Sequence, residues 1–123
     1  MADAASRSSS HSSSGYQDPS DLRRIPALLA LAPVEGEAFM AFDHAARRAD
    51  GVLPPRTREL VALAVALTTQ CGYCLDVHAR AARRAGVSAQ ELAELVSIAA
   101  AVRAGASMAH GLLALRLFED GKD

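Results

Sequence analysis

The sequence predicts an all-α fold, a compact helical domain of about six helices, and three observations carry that expectation. Half of the residues are hydrophobic while only 4% are aromatic, so alanine, leucine and valine supply the apolar content. Runs of β-branched and aromatic residues of the kind that form strands are absent. Apolar positions recur at helical spacing between clear start and stop signals.

The first 18 residues are rich in Ser and Ala and carry almost no large apolar groups. Such a segment cannot bury enough surface to offset the entropy of ordering, so residues 1–18 read as a disordered tail that includes His11. Residues 19–123 read as one domain. A short helix there carries Leu22, Ile25, Leu28 and Leu29. A second opens at Pro33, a favoured first helical position, contains Phe39, Met40 and Phe42, and closes near Asp50-Gly51. A third opens at Pro54-Pro55 and is apolar on every side after Glu59, the pattern of a helix buried all round.

The fourth helix starts near Cys71 and stops at Gly86, a residue suited to a left-handed terminus. Its last turn holds Arg80, Arg83 and Arg84, which favour the negative end of a helix dipole and read as an exposed face. Ser88-Ala89-Gln90-Glu91 is a capping box that opens a fifth helix through Leu92, Leu95, Val96 and Ala99. A sixth follows a break at Gly105 and runs to about Phe118. A domain of this size has little capacity to enclose an all-apolar helix alone, so a homo-oligomer is expected.

Charge and composition exclude several classes of function. The formal net charge is −1, which gives no field to attract nucleic acid or an anionic membrane. No apolar stretch reaches the roughly 18 residues expected of a membrane span, and no apolar segment near the N-terminus suggests a secretory signal. The expected compartment is the cytoplasm, where thiols stay reduced. The two cysteines fall within one four-residue window, too close to staple a fold, so they point to redox chemistry or metal binding.

That window is Cys71-Gly72-Tyr73-Cys74, and His78 follows four residues after Cys74. Positions i and i+4 share a helix face, so His78 can serve the Cys74 sulfur. Cysteines in a first helical turn meet free N–H groups and the positive dipole end, which favour the reactive thiolate. Glu59, twelve positions before Cys71, opens an apolar helix, where desolvation is expected to raise its pKa and suit it to proton transfer. These residues suggest a relay from Cys74 through His78 to Glu59. The plainer alternatives are two cysteines acting as small apolar side chains, a first-turn glutamate placed by the helix dipole, and a zinc site on Cys71, Cys74 and His78, which supplies one ligand too few for a structural site. His44 reads as a solvated residue. His110 reads as a packing histidine or an accessory to the site.

The pattern of Glu59, Cys71, Cys74 and His78 resembles the core signature of the AhpD-like alkylhydroperoxidases of the carboxymuconolactone decarboxylase superfamily. The resemblance spans roughly residues 35–118, including Leu53 to Glu59 and the stretch around Gly86-Val87-Ser88. It implies an all-α domain that assembles as trimers or hexamers and reduces organic hydroperoxides. Carried over, Cys74 is the peroxidatic residue, Cys71 the resolving one, and His78 with Glu59 the proton relay. It implies no bound cofactor or metal. An external thiol or a lipoyl-bearing partner would supply electrons. Well-studied members place a histidine directly before the second cysteine; this chain has Tyr73, which makes Tyr73 and His110 the accessory candidates. The competing readings are a lactone decarboxylase, which has no evident need for a thiol pair, and a redox-sensing oligomer without turnover.

Overall fold

A computed structural model describes residues 16–121. Among them every regular element is helical, as the composition requires. A 3₁₀ helix, Pro19–Arg24, runs directly into α1, Ile25–Leu31; α2 is Pro33–Ala46, α3 Pro55–Thr69, α4 Gly72–Arg84 and α5 Ala89–Glu119. The tail assigned to residues 1–18 lies outside the described residues up to position 15. Its last residues do take part in structure: the Asp18 carboxylate caps the 3₁₀ helix by accepting the Ser20 N–H at 2.8 Å.

Prolines start the 3₁₀ helix and three of the α-helices near their first position, at Pro19, Pro26, Pro33 and Pro55, where a missing N–H costs nothing. α2 ends at Ala46, short of the expected Asp50-Gly51, because the Arg47 N–H closes the last turn on the Asp43 carbonyl and the chain then leaves the helix. α4 ends in the predicted manner. Gly86 adopts a φ of 84°, its N–H reaches the Arg83 carbonyl at 3.1 Å, and the Val87 N–H reaches Ala82 at 3.0 Å, which together form a Schellman closure. The capping box at Ser88 is present in both directions.

The core is the hairpin of α3 and α4, where Leu63, Ala66 and Ala82 are the buried apolar residues. The small Ala side chains let the two helix backbones approach closely. The first half of α5 lies along α3, with Leu95, Ile98 and Ala99 facing Leu60, Ala64 and Val65. On the other side, the 3₁₀ helix links α1 to α4, and α2 packs on α1.

Two expectations are corrected here. The chain by itself is not a closed bundle: Phe39 and Phe42 of α2 and Leu28 and Leu31 of α1 remain exposed. In a single chain α3 keeps an exposed face, with Val61 and Val65 52% and 54% exposed, as the limited capacity of a domain this size to enclose an all-apolar helix alone leads one to expect. Gly105 does not break the chain, and the two expected C-terminal helices are a single helix of 31 residues. One glycine costs about 1 kcal/mol against alanine, which the surrounding Ala, Val, Arg and Met outweigh when no proline follows.

The C-terminal half of α5 projects from the core with Leu112, Leu115, Leu117 and Phe118 exposed. By length and composition alone α5 is long and apolar enough to cross a membrane, with a window of mean hydropathy 1.4, which corrects the reading that no segment reaches that length.

The start of α5 is tied to α3 by Arg56, which pairs with Glu91. The Ser88 backbone N–H, then Arg56, hold the Glu91 carboxyl down at about 2. A lowered pKa stabilises the fold above the ordinary carboxylate range, and that contribution is lost as pH falls from about 4.5 through about 2. Acid unfolding followed by far-ultraviolet circular dichroism is expected to show a step in that window. The step should be missing in Glu91→Gln, whose melting midpoint at pH 7 should lie below that of the parent.

Candidate active site

The site is built at the junction of α3 and α4. α3 stops because Gln70 takes a left-handed conformation, φ 57°, at a cost of about 1 kcal/mol for a residue with a Cβ. The local hydrogen bonds hold it there. The Cys71 N–H reaches back to the Ala66 carbonyl at 3.1 Å, and Arg103 of α5 donates to the Thr68 carbonyl. The chain therefore turns at once into Cys71, the N-cap of α4.

Cys71 and Cys74 are joined by a disulfide, their Cα atoms 5.3 Å apart. The Cys71 Sγ accepts the Cys74 backbone N–H at 3.2 Å, in the place a serine oxygen occupies in an ordinary cap. Cys71 thus receives the helix-terminal donor. Cys74, in the first turn, has His78 one turn further along the same face, about 6 Å along the axis.

His78 is brought together with Glu59, its Nδ1 lying 2.7 Å from the Glu59 Oε2. Both side chains are mostly covered, 18% and 21% exposed. Glu59 therefore faces a histidine in the lining of a cleft rather than an apolar interior. The contact fixes the ring by its Nδ1 and leaves Nε2 for a second partner. Among the described residues no hydrogen bond joins the His78 ring to either sulfur of the disulfide form. The two cysteines weighed as zinc ligands are bonded to each other in this structure.

The accessory candidates fall apart. Tyr73 turns to the N-terminal segment, where its hydroxyl donates to the Asp21 Oδ2 at 2.8 Å. That bond to a carboxylate pushes the phenol above its ordinary pKa. His110 lies on the exposed projecting half of α5, away from the other site residues within one chain. His44 is exposed, as expected.

Sequence reasoning missed the strap over the start of α4. Gln17 accepts the Gly72 N–H at 2.7 Å, and a Cβ on Gly72 would collide with the Gln17 amide. Together with Tyr73–Asp21 this pins residues 17–21 beside the cysteine pair. No sequence signal marks a pairing across more than fifty positions. Tyr73→Phe is expected to loosen the strap, and trypsin should cleave after Arg23 and Arg24 several-fold faster than in the parent at equal core stability. Equal cleavage rates would show that the hydroxyl holds nothing.

Residues 33–117 match the model of the carboxymuconolactone decarboxylase family. The chain belongs to this family, which is the AhpD-like superfamily. It includes alkylhydroperoxidases and decarboxylases. Over 84 residues the chain is 40% identical to uncharacterized protein 4 in the cox locus of Paracoccus denitrificans, covering 68% of this chain and 75% of that one. An uncharacterized protein of Cupriavidus necator is 31% identical over 97 residues, 79% of this chain and 85% of its own. A third, from Haemophilus influenzae, is 48% identical over 46 residues, 37% of this chain and 40% of its own. The Haemophilus match is local.

Proposed function

We propose that this family member is a thiol-dependent peroxidase that reduces organic hydroperoxides. The observation that supports it is the pairing of a Cys71–Cys74 disulfide at the start of α4 with a Glu59–His78 contact reached from the same helix. In the reduced protein the Cys74 thiolate attacks the terminal peroxide oxygen, and the O–O bond breaks. Cys74 becomes a sulfenic acid, and the departing alkoxide takes a proton from His78, which Glu59 orients and recharges. The Cys71 thiolate then attacks the Cys74 sulfur and water leaves. The disulfide holds the two electrons' worth of oxidation until an external dithiol, such as a lipoyl group, reduces it. One hydroperoxide and two thiols give one alcohol, one water and one disulfide.

The protein works in this proposal as a homo-oligomer, a trimer or hexamer, in the cytoplasm. The exposed apolar residues of α1, α2 and α5 support association. For α5, a second copy is the better partner than a bilayer. Arg103 lies near the middle of the helix and is bonded to α3, and a charge at the bilayer centre costs about 2.5–3.5 kcal/mol even on the mildest scale.

The test is turnover of an organic hydroperoxide with dihydrolipoamide as reductant. Glu59→Gln is expected to lower kcat by about 10²-fold, the usual worth of a positioned proton carrier, while the disulfide still forms. Turnover unchanged by Glu59→Gln would remove the relay from the mechanism, and no turnover by the parent would remove the peroxidase.

A further inference from the structure

A cleft of about 290 Å³ opens between the end of α2, the loop that follows it and α3, and its floor is the Glu59–His78 pair. Its walls include Leu53, Val61 and Ala62, and two cations, Arg47 and Arg58. The charges around it divide unevenly. Arg47 pairs with Asp43, Arg48 with Asp50, and Glu59 with His78. Arg58 has no carboxylate within ion-pair distance among the described residues, and its Nη1 is sealed from solvent without a hydrogen-bond partner.

An arginine cannot shed its charge, and Arg58 lines this cleft without a carboxylate of its own among the described residues, which suits it to an anion that enters there. The neighbouring backbone is shaped to keep it there. A Cβ on Gly51 would collide with the Arg58 guanidinium, so only glycine leaves that space to the fork. The other unpaired arginines of α4 and α5, Arg83, Arg84 and Arg116, are exposed and have water as a partner.

We infer that Arg58 is a specificity residue that holds the carboxylate of an organic acid in this cleft, so that the substrate class is hydroperoxides carrying a carboxylate. The guanidinium fork suits a planar carboxylate, and the apolar walls suit the carbon chain attached to it. The cleft's volume sits near the lower end of ligand pockets, which fits a small or medium-sized acid. With Arg47 already paired to Asp43 and Glu59 held by His78, Arg58 is the cation of the cleft that has no carboxylate of its own among the described residues. The substrate assignment rests on the peroxidase proposal; the carboxylate site itself does not.

The two are separated by measuring binding without turnover. Hexanoate and hexanamide are compared as probes against the full-length oxidised protein by saturation-transfer NMR and calorimetry. Hexanoate is expected to bind at least tenfold more tightly than hexanamide. Arg58→Gln should erase the preference, Arg58→Lys should keep part of it, and Gly51→Ala, which displaces the fork and keeps the charge, should weaken hexanoate several-fold.

In turnover, the ratio of kcat/KM for a fatty-acid hydroperoxide over that for its methyl ester should fall at least tenfold in Arg58→Gln. Equal binding of the two probes to the parent protein overturns the inference. So does a preference that survives Arg58→Gln, or an Arg58→Gln variant that changes oligomeric state and leaves the preference intact, which would assign Arg58 to a contact between copies. A hexanoate preference that depends on Arg58 in a protein that consumes no hydroperoxide retains the carboxylate site and removes the peroxidase.

Discussion

Cys74→Ser is expected to abolish the proposed hydroperoxide turnover, a loss of at least about 10³-fold, because a hydroxyl at that position has neither the nucleophilicity nor the redox chemistry of a thiolate. Cys71→Ser behaves differently. It is expected to consume one equivalent of peroxide and stop, with Cys74 held as a sulfenic acid that dimedone traps and that excess peroxide drives to the sulfinic acid. The contrast matters because the structure distributes the two advantages between the sulfurs. Cys71 is the N-cap and accepts the Cys74 N–H, which favours a thiolate at Cys71. Cys74 has His78 at i+4, and His78 is the residue that Glu59 holds. The proposal gives priority to the proton path over the cap. A sulfenic acid that accumulates on Cys71 in Cys74→Ser, and none on Cys74 in Cys71→Ser, would reverse the assignment.

The second large effect concerns α5. Leu112→Asp together with Leu115→Asp is expected to convert an oligomer into single chains of 12.9 kDa. Both residues stand on the half of the helix that no other element covers, 71% and 54% exposed. A 31-residue helix is about 46 Å long, and its outer half has no tertiary partner to hold it. Each leucine buried against another copy contributes about 1.5–3 kcal/mol, so losing the pair should lower the melting midpoint by about 10 °C or more. Analytical ultracentrifugation and a thermal melt check this. A parent protein that sediments as a monomer contradicts it.

Local signals made much of the fold legible. The prolines that open α2 and α3, Gly86 and the Ser88–Glu91 box act within a few residues of the boundaries they set, and each did so. The cysteine pair and His78 were legible for the same reason, since spacing on one helix decides their neighbours. Glu59 was found by its isolation in an apolar run, although its environment is a cleft with His78 rather than an apolar interior. The failures are of other kinds. Gly105 reads as a break only if propensity outweighs its neighbours, and one glycine among good helix formers does not. The ties from Gln17 and Asp21 to the start of α4, and the orphaned Arg58, depend on pairings between distant segments that no periodicity records.

Thiol counting in a single turnover bears on the central claim most directly. The full chain is reduced, freed of reductant and mixed with one equivalent of an organic hydroperoxide, and thiols, residual peroxide and mass are then read. The account predicts two thiols lost for each peroxide consumed, one alcohol formed, and a mass lower by two hydrogen atoms from an internal Cys71–Cys74 bond. Retention of both thiols with the peroxide intact would contradict it.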